Sequence, residues 1–154
     1  MRTMLLSVKP YVYDKISAGT KKFEHRRCFP AEPIKAYLYV SSPVCAIQGV
    51  IILKNKHSLK EWEQEFADDK EAVERIKEFE QSANYAMEIH EFYETNAIPL
   101  SELRKEVDKF VVPQMYYFLD DKPLQSYLDK NLLTTGRTIS NSFDKIESTM
   151  VCRH

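Results

Sequence analysis

The sequence predicts an α+β domain built around a mixed, barrel-like sheet. Three observations carry that expectation. Strand-like and helix-like patterns alternate irregularly along the chain; Ile47 to Leu53 is apolar almost without a break, as in a barrel wall covered on both faces; and no GxGxxG, GKS or GxSxG motif supports a nucleotide-binding or hydrolase-elbow fold. With 154 residues, 44% hydrophobic and 29% charged, and only 3 Gly, the chain fits one folded domain and excludes collagen-like, low-complexity and disordered classes.

Thr3 to Val8 has strand length, and Pro10 opens a helix in which Val12, Tyr13 and Ile16 share one face. Gly19 stands where that helix ends. Lys21 to Arg27 then reads as a strand buried on one side, with Phe23 and His25 inward and Lys22, Glu24 and Arg26 outward. Lys35 to Ser41 is a strand whose Ala36, Leu38 and Val40 oppose Tyr37 and Tyr39, and Ser41-Ser42-Pro43 closes it. Phe23 and Leu38 are both expected in the barrel interior. After Ile47–Leu53, Ser58 and Glu61 form a capping box for a helix carrying Leu59, Trp62 and Phe66, and Asp68 or Asp69 caps a second with Ala72, Val73, Ile76 and Phe79. Tyr85 to Tyr93 alternates as a strand; Pro99 and Ser101 open a short helix; Gln114 to Leu119 is a last strand; and Pro123 starts a helix through Leu132. No period is readable after Gly136. The expected division is a domain over 1–122, with a helical insertion at 58–83, and a helical extension over 123–154 packing on it.

No apolar run approaches the roughly 20 residues that span a bilayer, and the first residues meet Lys9 and Pro10 before any signal-like run develops. The expectation is a cytoplasmic protein without a membrane partner. Cys28, Cys45 and Cys152 are odd in number, widely spaced and free of CxxC, and His25, His57, His90 and His154 are isolated from one another in sequence. Neither a disulfide framework, a metal site nor a cofactor is expected.

The net charge of -1 conceals a division. Residues 1–60 hold 11 Lys or Arg against only Asp14, Glu24 and Glu32, whereas residues 61–154 hold 11 against 20 acids. A basic half can hold a polyanion, or it can be simply a solvated face. The cations are densest in Gly19-Thr-Lys-Lys-Phe-Glu-His-Arg-Arg27. Lysine offers a mobile point charge for phosphate; arginine offers a planar fork that grips phosphate or a base edge and can stack. Glu24 can pair along its strand face with Lys22 or Arg26, accept hydrogen bonds from a base, or carry a proton. Spacing alone does not separate these roles.

Leu5-Leu-Ser-Val-Lys-Pro10 followed by Ile16-Ser-Ala-Gly-Thr-Lys-Lys-Phe-Glu-His-Arg-Arg27 resembles the signature of ASCH domains, members of the PUA-like superfamily. Ala36-Tyr-Leu-Tyr-Val-Ser-Ser-Pro-Val44, Gly49-Val-Ile-Ile52 and Pro113-Gln114 are similar to later strands of that family, so the likeness spans about residues 4 to 119 apart from 58–83. The resemblance implies a PUA-like small mixed β-barrel with flanking helices, and a cleft beside it that receives the lysine-rich turn. It implies RNA binding there. Some members of the wider family are small enzymes: one branch hydrolyses the acyl amide of N4-acetylcytidine with a lysine, a threonine and a glutamate, and another is described as a ribonuclease. By that spacing Lys21 matches the lysine, and Glu24 stands where the threonine would be.

The leading expectation is therefore a module that binds RNA or a modified nucleotide through Lys21, Lys22, Glu24, Arg26, Arg27, Ser41, Ser42, Gln114 and Tyr116. Serine hydroxyls can donate to phosphate, Gln114 can both donate to and accept from a base edge, and tyrosines can stack. Tyrosines on barrel strands more often fill core edges with the hydroxyl reaching water, and Gln114 equally fits a buried role satisfying backbone groups. Two alternatives stand beside it. One is a small hydrolase with Lys21 as base or nucleophile and Glu24 as proton carrier. The other is a protein-interaction adaptor using the acidic helices, whose charge also permits a homo-oligomer.

Overall fold

A computed structural model describes residues 1–154. The apolar run Met4-Leu-Leu6, buried on both faces of the sheet, produces β1 (Arg2–Val8), and Pro10, placed where a helix has no amide to satisfy, begins α1 (Pro10–Ser17). Gly19 follows at φ 78°, a conformation that turns the chain sharply into β2 (Phe23–Arg26). Then come β3 (Ile34–Val40), β4 (Ala46–Ser58), α2 (Leu59–Glu65), α3 (Lys70–Phe79), β5 (Tyr85–Pro99), α4 (Leu100–Glu106), β6 (Tyr116–Phe118), α5 (Pro123–Asn131), β7 (Thr134–Ser140) and a short 3-10 turn, Ser148–Met150. Ser58 Oγ accepts from the Glu61 amide and Asp69 from the Ala72 amide, so both expected caps start the insertion helices.

Seven strands form one curled sheet in the order β2-β5-β4-β3-β1-β6, with β7 added to the outer half of β5. β1 and β3 run parallel; every other pairing is antiparallel. The inner face gathers Met4, Leu6, Ala36, Leu38, Val40, Ile51, Leu53 and Phe92 into the main core, sealed by Tyr13 and Ile16 of α1. The mixed α+β, half-barrel architecture matches the expectation from sequence.

Several local readings need correction. Tyr37 and Tyr39 lie on the face opposite Leu38 and, beyond a core-edge role, are fully buried, because α4, α5 and the loop beside them cover the outer face of the sheet in a second core with Leu5, Leu103 and Leu124. Phe23 is buried yet lies outside the barrel interior. It packs beneath the insertion, 5.0 Å from Trp62 and with Leu59 and Ile76, because β2 is an edge strand over which α2 and α3 fold back. β4 runs on through polar Lys54 to Ser58, since an irregularity at Asn55, whose φ is 57°, lets it keep pairing with β5. Finally, residues 123–154 are not helical throughout. Gly136, which looks like loop punctuation, lies inside β7, where a Cβ would collide with the Glu94 carboxylate.

These assignments predict that Leu38→Ala lowers stability by about 2 to 5 kcal/mol and Phe23→Ala by about 3 to 5 kcal/mol in denaturant unfolding. The two losses should add, since the residues belong to different clusters.

Candidate nucleic-acid interface

Between the edge strand β2, the start of α1 and the end of the insertion lies a cleft of about 720 Å³. Its floor is laid by the turn after Gly19. That turn carries Lys21 into the cleft with 8% exposure, and β2 then carries Glu24, His25 and Arg26 along the wall. Ser7, Lys9 and Tyr11 come from the opposite wall, Ser41 and Gln114 from one end, and Glu78, Phe79 and Ala83 from the insertion.

Glu24 is buried, not exposed as its place among polar neighbours suggests. Its Oε1 accepts from Arg26 Nε at 3.0 Å, and Arg26 also donates to the main-chain oxygen of Ser7 at 3.0 Å, which ties β2 to β1 across the cleft floor. Of the two sequence partners offered for Glu24, Arg26 is the one used. Glu24 Oε2 is buried and has no hydrogen-bond partner, and neither has His25 Nε2. Burial holds the His25 imidazole well below its usual pKa, and the nearby charges of Lys21, His154 and Arg26 act in the same direction, so it is neutral at pH 7. Its ring lies 4.6 Å from Phe79.

Lys21 Nζ donates to the main-chain oxygen of Arg153 at 3.3 Å. Desolvation lowers its pKa, Glu24 opposes that shift, and Lys15 and Arg26 add to it. The site therefore holds a desolvated ammonium, an arginine already engaged with a carboxylate, and a free carboxylate oxygen. Such a set can bind an anion and at the same time accept a hydrogen bond from its neutral part.

Five of the residues chosen from sequence meet here: Lys21, Glu24, Arg26, Ser41 and Gln114. Four do not. Lys22 turns back to the Gly19 carbonyl and Asn141, each at 3.0 Å; Arg27 donates to the Gln81 carbonyl at 3.0 Å; Ser42 sits on the exposed turn; and Tyr116 donates to the Cys28 carbonyl at 3.0 Å while stacking on Phe29. Tyr11 went unchosen, although it is 51% exposed on the cleft rim. Its signal was present: in a helix whose inward face is Val12, Tyr13 and Ile16, position 11 points away from the core.

The histidines also need revision. His57 and His90, distant in sequence, share buried Glu88, with Nε2 atoms 2.6 and 2.8 Å from its two oxygens, and Asn55 donates to it at 2.9 Å. The pairing of β4 with β5 creates this cluster, which no linear spacing reveals. The imidazoles engage the carboxylate, and no group of three or more His, Cys, Asp or Glu is arranged to hold a metal ion.

Neither a family model nor a curated protein matches the chain. Solved structures do. The ASCH protein of Zymomonas mobilis superposes with a TM-score of 0.61 at 17% identity, covering 86% of this chain and 96% of that one. A serine-to-alanine mutant of the same protein gives 0.61 at 18% identity, over 83% and 95% of the two chains. A tyrosine-to-phenylalanine mutant gives 0.57 at 16% identity, over 84% and 98%. At these identities the likeness is one of overall fold, and the chain shares the mixed α+β, half-barrel fold of that ASCH protein.

Proposed function

We propose that the chain binds nucleic acid, as single-stranded RNA or a modified nucleotide, in the cleft beside β2. The observation that carries this reading is the partnerless Glu24 Oε2, held beside Lys21 and Arg26. A buried polar atom without a partner costs about 1 to 3 kcal/mol, and a ligand that donates to it recovers that cost. Base N–H groups donate in this way, and Lys21, Arg26 and Lys9 meet the phosphates. Tyr11 supplies an exposed ring at the rim. The ASCH fold supports the same reading.

A second reading rests on Lys21 itself. Burial lowers its pKa, which favours the neutral amine a general base or nucleophile requires, and the free Glu24 oxygen is available to carry a proton. A lysine and a proton-carrying carboxylate of this kind support a hydrolase acting on a modified nucleoside, although Glu24 stands where that branch has its threonine.

Two outcomes are expected. First, because Lys22 and Arg27 are turned away, about three cations contact phosphate, and affinity for single-stranded RNA should fall with salt at a log–log slope of about -2. A salt series checks this, and a slope near zero sinks the electrostatic part. Second, Lys21→Arg keeps the charge and should weaken RNA binding less than tenfold, while Lys21→Ala weakens it more. Turnover of an acylated nucleoside by the wild type, abolished in Lys21→Arg, would put the hydrolytic reading in place of the binding one.

A further inference from the structure

Residues Ser148–His154 approach the cleft from the insertion side. Val151 and Cys152 are buried in the cluster with Trp62 and Phe79; Arg75 donates to the main-chain oxygens of Ser148 and Val151 at 2.8 and 3.4 Å; and Ser148 Oγ donates to Asp69 at 2.6 Å. Most of that anchor lies before Arg153, whose Nε also donates to the Thr149 main-chain oxygen at 3.0 Å. Arg153 and His154 nonetheless enter the cleft. Lys21 Nζ donates to the Arg153 main-chain oxygen at 3.3 Å and Lys15 Nζ to that of His154 at 2.5 Å. The His154 ring lies over Phe79, with centroids 4.6 Å apart and planes inclined by 37°, and its Nε2 is 3.6 Å from Glu78.

These contacts outline a ligand: two acceptor oxygens facing two ammonium groups, and a planar nitrogen heterocycle on an aromatic ring. Building on the nucleic-acid reading, we propose that Arg153–His154 is an intramolecular stand-in for the nucleotide and competes with it. Its main-chain oxygens take the places of phosphate oxygens at Lys21 and Lys15, and its imidazole takes the place of a base on Phe79. Phe79, contributed by the insertion, is then a base-stacking platform, and Lys15 a phosphate contact.

The chemistry favours exchange. A main-chain oxygen carries no formal charge against the desolvated Lys21 ammonium, whereas a phosphate oxygen does, so exchange replaces an ion–dipole contact with an ion pair in a site of low dielectric. A nucleobase covers more of Phe79 than an imidazole does. The segment also leaves Glu24 Oε2 and His25 Nε2 without partners, so it fills only part of the site. Its release need not disturb the fold, because the Val151–Cys152 anchor lies before it.

The test compares the full chain, a chain shortened to end at Cys152, Arg75→Ala, and Phe79→Leu in the shortened chain. Binding of a fluorescein-labelled single-stranded RNA decamer is read by anisotropy, and acetylation of Lys21 by peptide mass spectrometry without any ligand. The shortened chain should bind RNA about tenfold more tightly, since the cleft no longer spends most of its time occupied. Arg75→Ala, which loosens the anchor from outside the cleft, should shift affinity in the same direction by less. Phe79→Leu should remove on the order of fivefold or more of the shortened chain's affinity. Lys21 should acetylate faster once Arg153 and His154 are gone. Equal acetylation in the full and shortened chains overturns the proposal, and so does faster acetylation with unchanged RNA affinity. Faster acetylation with no RNA bound by either chain overturns the nucleic-acid reading and leaves the occupation of the cleft standing.

Discussion

Fifteen residues of β5 serve three partners, and the position of everything in the cleft follows from how they are shared. β4 takes one edge along almost its whole length; on the other edge β2 pairs with Tyr85 to Glu88 and β7 with Glu91 to Thr95. Because Phe23 and Glu24, on opposite faces of β2, are both buried, the register of that strand is fixed. Glu24 must sit opposite Met87 and Phe23 opposite Glu88. A slip of one residue would send Glu24 to the Phe23 side and break the Arg26 contact with Ser7. The aromatic packing of Phe23 under Trp62 opposes that slip.

Within the cleft the dominant electrostatic fact is desolvation rather than accumulated positive charge. The side chains of Glu24 and Arg26 are only 6% and 17% exposed, and a buried pair of this kind is neutral or unfavourable against an apolar replacement while costing about 3 to 5 kcal/mol when one partner is removed. The pair fixes one carboxylate oxygen and leaves the other buried without a partner in the wall of the cleft. The surplus of cations in the first sixty residues is largely spent elsewhere. Lys22 and Arg27 hold main-chain oxygens, Lys56 donates to the Phe29 carbonyl, and Arg2 lies over the Phe118 ring.

Much of the fold was legible because apolar periodicity and capping residues are local signals. Pro10, Ser58, Asp69 and Pro123 start helices as their chemistry demands, and Ala36, Leu38 and Val40 share the inner face. The misreadings have one physical origin. Burial of a residue depends on what covers it from far away in sequence, so the stacking role offered for Tyr37 and Tyr39 falls once α4 and α5 cover them, and Phe23 reads as barrel core until the insertion covers it. The same holds at the site. Lys21, Glu24 and Arg26 were found from one dense segment, whereas Phe79, Tyr11 and the Glu88 cluster join the picture only through tertiary contact.

The pairing of β2 with β5 carries a consequence for the chain as it is made. Phe23 to Arg26 emerge about sixty residues before Tyr85 to Glu88, their only strand partners. At roughly 5 to 20 residues per second, synthesis leaves that edge waiting on the order of 3 to 12 seconds. During that interval β1, β3 and β4 can already assemble from nearer neighbours, as local contacts form first. The segment bearing Lys21 and Glu24 is then still a cationic ribbon, kept soluble by Lys21, Lys22, Arg26 and Arg27 until the strand that organises it leaves the ribosome. Charge on a β-edge disfavours pairing with another chain, so the density of cations in that segment suits a strand whose partner arrives late.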